Sequence, residues 1–185
     1  YAFSIMNKKI KIFLLVFNIF ALIYLLYPTP KLKDLPDSVR SQEPGDTVQM
    51  KNVSGYYTNL SRTEVINFYR SIYYGPFLIR LNHPPELAKT IFRDTMKSYY
   101  LEEFHLPFKE SIYINGYEWQ NDVFTKPENR NKNKLLYEGR EYLSKINIKI
   151  IPTPIPFRLL AFFITELSII GVIVLYLKFF KKKRV

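Results

Sequence analysis

Two apolar runs, IFLLVFNIFALIYLLY at 12–27 and LLAFFITELSIIGVIVLYL at 159–177, constrain this chain more than any other feature. The first carries no charge. With Ile10 and the aliphatic stem of Lys11 it approaches the ~17 residues that a membrane span needs. The second holds one carboxylate, Glu166. At about 1.5 Å per residue it covers roughly 28 Å, against a hydrocarbon core of ~30 Å. A buried core helix is the competing reading of each run. Against it stand aromatic side chains at both ends, with Tyr24, Tyr27 and Phe157 at one level and Phe13, Tyr176, Phe179 and Phe180 at the other. Two membrane spans are therefore expected.

The charge distribution agrees. The chain holds 27 Lys and Arg against 16 Asp and Glu, an excess that would ordinarily suggest nucleic acid. Lys8, Lys9, Lys11, Arg158, Lys178, Lys181, Lys182, Lys183 and Arg184 all flank the apolar runs, whereas residues 28–156 are almost balanced, with 18 basic and 15 acidic side chains. The basic excess belongs to the membrane, and no nucleic-acid partner is expected. The cluster after the second run orients the C-terminus towards the cytoplasm. Two spans return the N-terminus there, leaving 28–156 outside the plasma membrane. MNKKIKIF resembles a bacterial start at Met6. LYPTP offers no small-x-small cleavage pattern, so the first run is expected to remain as an anchor.

The expected organisation is a cytoplasmic N-terminus (1–9), a span (10–27), a Pro-containing linker (28–42), an extracytoplasmic domain (43–151), a Pro-rich linker (152–157), a second span (158–178) and a basic cytoplasmic tail (179–185). Pro-Thr-Pro occurs at 28–30 and again at 152–154, at both junctions of the outer domain. Proline cannot continue a helix and extends the residue before it. The repeated motif would keep both connectors short and semi-rigid.

Within the outer region the spacing predicts an α+β domain of two helices on a mainly antiparallel sheet. EPGD (43–46) reads as a turn before a possible strand in TVQM (47–50), and SGYYT (54–58) reads as a strand. LSRTEVINFYRSIYYGP carries a capping box, Ser61 with Glu64, followed by Val65, Ile66, Tyr69, Ile72 and Tyr73 at helical spacing. Gly75-Pro76 would stop that helix. FLIRL (77–81) reads as a buried strand. NHPPE opens a second helix whose apolar face is Leu87, Ala88, Ile91, Phe92 and Tyr99. Asn115-Gly116 in SIYINGYEW (111–119) reads as a hairpin turn. NDVFTKPENRNKNK (121–134) reads as a polar loop, and YLSKINIKII (142–151) alternates as a half-buried strand.

Catalytic signals are sparse. Glu102 and His105 in EEFH have the i, i+3 spacing that places two ligands on one helix face. Metal sites built that way need further carboxylates and a second copy of the motif. A surface Glu near a surface His is the plainer reading, so no metal or other cofactor is assigned. Cysteine is absent, and no nucleophile elbow, phosphate-binding loop or dinucleotide fingerprint occurs. No catalytic residue is nominated. Tyr117 and Trp119, which would share a face of the second hairpin strand, are the expected contact residues.

Glu166 is costly inside a membrane, by at least ~2.5–3.5 kcal/mol on insertion scales. Counted from the outer span ends, Asn18 lies about 13 Å deep and Glu166 about 12 Å. A hydrogen-bonded Asn18–Glu166 pair between the spans is therefore expected. Ala161, Thr165 and Ser168 form a small-residue stripe suited to close helix packing, turned roughly 140° from Glu166 at 100° per residue. One neighbouring helix cannot cover both sides, which implies a second contact, to another membrane protein or to a second copy of this chain.

The segments YYTNLSRTEVINFY and YYLEEFHLPFKESIYINGYEW resemble parts of uncharacterised two-span bacterial membrane proteins, from which no activity carries over. Two terminal spans around an outer α+β domain, with prolines before the second, also resemble the polysaccharide chain-length regulators in architecture. The outer region here is short for their long helix, and IPTPIPF departs from their proline pattern. The residues themselves suggest a non-enzymatic envelope protein, an accessory or scaffold subunit acting through protein partners. The alternative is an extracytoplasmic ligand-binding or hydrolytic module for a cell-wall or polysaccharide component.

Overall fold

Leu60 to Tyr73 fold as their capping signals predict. The computed structural model describes residues 8–29, 31–44, 46, 51–75, 77–92 and 98–181. These fall into two compact units, Pro30–Pro152 and the paired terminal stretches Tyr1–Thr29 with Thr153–Val185. In the first unit the helix Arg62–Ile72 begins at Ser61. The Ser61 hydroxyl accepts from Glu64 N, and Ser61 N donates to Glu64 Oε2 at 2.8 Å. Losing such a cap costs about 1 kcal/mol. Val65, Ile66 and Tyr69 form its buried stripe, at the 3–4 residue spacing of one helix face.

With helices numbered along the chain, this is α2. α1 is Lys8–Leu26, a single turn at Ala88–Ile91 is α3, and α4 is Ile155–Lys181. The strands are β1 (Ser38–Arg40), β2 (Val53–Thr58), β3 (Ile79–His83), β4 (Tyr100–Leu106), β5 (Glu110–Glu118), β6 (Leu135–Tyr137), β7 (Arg140–Tyr142) and β8 (Ser144–Pro152). Six of them make one antiparallel sheet in the order β1-β2-β8-β5-β4-β3, and β6 and β7 form a separate hairpin. The expected α+β class with a mainly antiparallel sheet is the class observed. Among the described residues of this unit, only α2 is a helix of more than one turn.

Side-chain alternation gives the sheet two unlike faces. Tyr56, Tyr100, Phe104, Leu106, Ile112, Ile114, Ile146 and Ile148 point to one face and are buried with Val65, Ile66, Tyr69 and Tyr73 in the main core. Truncating any of the large ones would cost about 2–5 kcal/mol. The opposite face carries His83, Glu103, His105, Ser111, Asn115, Lys145, Asn147 and Lys149. It is relieved by a small apolar cluster of Ala88, Phe92 and Leu101.

Three expectations give way here. Asn115-Gly116 is not a turn. It lies inside β5, paired throughout to β4 and β8, where a Cβ on Gly116 would stand 2.2 Å from the Tyr100 ring. The glycine is a seat for an aromatic ring. The real turns lie elsewhere. Pro107, Phe108 (φ 61°) and a Lys109 N to Leu106 O bond of 2.9 Å join β4 to β5. Glu138 and Gly139, both at positive φ, join β6 to β7 as a two-residue hairpin loop. FLIRL is not a buried strand, since β3 is the edge of the sheet and Ile79 through Asn82 are exposed. The second helix is a 3-10 turn, Pro85–Leu87, followed by α3, and Tyr99 belongs to the approach to β4. The TVQM strand lies outside the described residues.

In the terminal unit, α1 and α4 include stretches of 19 and 22 residues apolar enough to cross a membrane. Their buried positions are few. Leu25 and Phe162 are buried, and Arg158 donates to Leu25 O at 3.3 Å and to Thr153 O at 2.5 Å. Most other side chains along both helices are exposed.

Candidate functional site

The EEFH segment falls on β4, and a strand sends residues i and i+3 to opposite faces. Glu102 and His105 therefore cannot share a ligand, which overturns the helix-face metal pair. Among the described residues no group of three His, Cys, Asp or Glu has the geometry of a metal site.

Glu102 points to the α2 side and is fully buried. Its Oε1 accepts from Arg62 Nη2 at 2.6 Å, Arg62 Nε at 3.0 Å and Arg80 Nη2 at 2.9 Å, and its Oε2 accepts from Arg80 Nε. Burial disfavours its charge, but the bonds from Arg80 and Arg62 prevail and hold the carboxyl below the usual carboxylate range. Arg62 also lies over the Tyr100 ring, 4.9 Å from its centroid. Glu118 Oε1 accepts from Arg62 N at 2.9 Å, which adds negative charge at the start of α2. This network fastens the helix to β3 and β4.

Glu103 points to the other face, where both histidines of the chain converge on it. His83 Nε2 lies 2.8 Å from its Oε2, and Ser111 Oγ donates to its Oε1 at 2.5 Å. His105 Nδ1 is 2.9 Å from Ser111 Oγ. Burial opposes the Glu103 charge, yet bonds from Ser111, His83 and Tyr113 hold its pKa below the usual range. An ionised carboxylate can only accept. The serine proton is therefore committed to Glu103, and His105 must donate to the serine oxygen. The hydroxyl proton therefore goes to a carboxylate, and His105 is not placed as the base that accepts it.

Further along this face Lys145 Nζ contacts Glu43 Oε2 at 2.6 Å and Asp46 Oδ2 at 3.0 Å, and Ser41 Oγ donates to Asp46 Oδ2 at 2.6 Å. Burial would lower the Lys145 pKa, but these carboxylates raise it instead. The β6–β7 hairpin closes over this end, with the Tyr137 ring stacked on Tyr57 at 4.4 Å. Burial pushes the Tyr57 hydroxyl up to about 12.

The expected contact residues separate. Tyr117 is half-buried on β5 and donates to Asp122 Oδ2 at 3.2 Å, while Trp119 lies beyond the strand in a 3-10 turn. Trp119 Nε1 donates to Tyr142 O, and Lys134 Nζ sits 5.6 Å from its ring centroid. Asp122 organises the polar loop by also accepting from Phe124 N, Thr125 Oγ1 and Asn133 Nδ2. In the terminal unit Asn18 Nδ2 donates to Leu14 O of its own helix at 3.1 Å rather than to Glu166. Thr165 and Ser168 likewise bond back to Ala161 O and Ile164 O, and the stripe they form with Ala161 is exposed.

What sequence reading missed is the edge of the sheet. Among the described residues β3 pairs on one side only, and Phe77 just before it and Ile79 and Leu81 within it are 56%, 45% and 42% exposed. Between β3 and the C-terminal end of α2 a cleft of about 310 Å³ is lined by Arg70, Tyr74, Gly75, Leu78, Arg80 and Phe104. The available signal was that FLIRL begins right after the Gly75-Pro76 break. Comparison with protein-family models, with curated proteins and with solved structures finds no match.

Proposed function

We propose that this chain is a membrane-anchored protein of the bacterial cell envelope whose domain, residues 28–156, faces outward and acts through protein partners rather than through catalysis. The observation that carries it is the β3 edge, unpaired on one side among the described residues, with its exposed apolar side chains. Exposed sheet edges are templates for another chain, and proteins that do not use them blunt them. The Ser111 hydroxyl proton goes to Glu103 and not to a histidine base, which supports the non-enzymatic side of the reading. Two long apolar helices with basic flanks support anchoring with both termini cytoplasmic. An accessory or scaffold subunit fits these features.

Two experiments test it. The chain has no cysteine, so single cysteines at Asn131 and at Asn7 can be probed with a membrane-impermeant maleimide on intact cells. Labelling at Asn131 alone is expected; the reverse pattern refutes the orientation. Gentle solubilisation of native membranes should yield a stoichiometric partner that is lost in Ile79→Asp. A partner-free chain, or fluorophosphonate labelling of Ser111, would move the function to the outer domain as a hydrolytic or ligand-binding module.

A further inference from the structure

We infer that the β3 edge and its adjoining cleft take up an extended, acidic segment of a partner protein, which adds to the sheet as a seventh strand; this rests on the partner-binding reading above. The argument begins with which backbone is open. β3 ends the sheet, so its outer row of N–H and C=O groups has no strand to pair with among the described residues. A strand that pairs there alternates its side chains between the two faces of the sheet.

The two faces ask for different chemistry. On the side away from α2 the added strand meets Ile79 and Leu81, exposed and apolar. On the α2 side it meets the cleft, whose charged groups are both arginines. Arg80 spends its Nε and Nη2 on Glu102, and its side chain remains 45% exposed. Arg70 is exposed and makes no side-chain bond among the described residues. Phe104 closes the floor. A guanidinium over an apolar floor favours a carboxylate, since its fork matches two oxygens and it is weakly hydrated. The segment that fits therefore alternates, with apolar residues towards Ile79 and Leu81 and acidic residues towards Arg70 and Arg80.

Self-pairing is disfavoured by the same charges. Two β3 strands paired antiparallel would bring four arginines, Arg70 and Arg80 from each copy, to the α2 side of the joint. Like charges side by side oppose pairing. An acidic strand removes that repulsion.

The test uses the full-length chain in lipid nanodiscs and a fluorescein-labelled peptide of alternating valine and glutamate, with a valine–glutamine twin as control. Fluorescence anisotropy should show saturable binding of the glutamate peptide, with the glutamine twin weaker by roughly tenfold. Arg70→Gln should erase the difference between the two peptides. Ile79→Asp should weaken both, since it removes apolar contact that both share. Both positions are exposed, so neither change threatens the fold. No binding, equal binding of the two peptides, or full discrimination retained by Arg70→Gln would overturn the acidic-strand inference. So would a dimer of the full-length chain that Ile79→Asp separates, because the occupant would then be a second copy. A native-membrane partner recovered alongside charge-indifferent peptide binding would refute this inference alone; recovery of no partner would refute the reading beneath it.

Discussion

Replacing Gly116 with alanine asks whether Asn115-Gly116 is a strand or a turn. The new Cβ would stand 2.2 Å from Tyr100 Cζ, 2.3 Å from Cε1 and 2.5 Å from the hydroxyl oxygen, where 3.4–4 Å is ordinary contact. The ring cannot swing into solvent. Tyr100 is 1% exposed, with Arg62 over its face at 4.9 Å and Tyr99 edge-on at 6.1 Å. Relief needs a displacement of more than about 1 Å in a close-packed core, and such overpacking costs about 1–3 kcal/mol. Alanine in a regular strand returns about 0.5–1 kcal/mol of backbone entropy. The expected net loss is about 1 kcal/mol. A glycine in a hairpin turn would also resist alanine, so the single variant does not decide the matter. Tyr100→Leu does, because it removes the three clashing atoms while keeping the site apolar. In that background Gly116→Ala should become neutral or slightly stabilising, a coupling of about 1–2 kcal/mol. Urea unfolding of the detergent-solubilised full chain, followed by fluorescence of Trp119, the only tryptophan, reads all four species. Additivity within about 0.5 kcal/mol would refute the seat-for-Tyr100 argument.

Glu102→Gln leaves Arg62 and Arg80 without their shared counter-charge and should cost about 3 kcal/mol by the same unfolding assay; a loss below about 1 kcal/mol would show that solvent already screens the pair. The folded pKa values of Glu102 and Glu103 are depressed. Their stabilisation is therefore complete above the unfolded value of about 4.3 and is lost as pH falls through the lower folded values. Urea midpoints should be flat near neutrality and fall below about pH 4.3, with a shallower fall in Glu103→Gln. Asp122→Ala removes the acceptor shared by Tyr117, Phe124, Thr125 and Asn133 and should open 121–134 to limited proteolysis, leaving the sheet intact.

Where local signals sufficed, the sequence was legible. The Ser61–Glu64 box set the start of α2, since all its partners lie within three residues. The alternation in SKINIKI marked β8, because burying one face needs only a period of two. The Asn115-Gly116 hairpin failed because turn chemistry is local while the Tyr100 contact spans 16 positions in sequence. EEFH was ambiguous for a related reason. Its i, i+3 pair shares a face only on a helix, and the pairing with β3 and β5 that makes it a strand is non-local.

The sequence by itself determined two long apolar helices, the break at each end of the domain, and an α+β class with antiparallel pairing, because each follows from length, hydropathy or period along the chain. Tertiary structure alone decided the rest. Strand order made β3 an edge and so left FLIRL exposed rather than buried. Register sent Glu102 towards two arginines and Glu103 towards two histidines, although they are adjacent residues of one type. A strand turns every second side chain to the opposite face, so neighbours in sequence meet different partners, and only pairing between distant segments settles which partners those are.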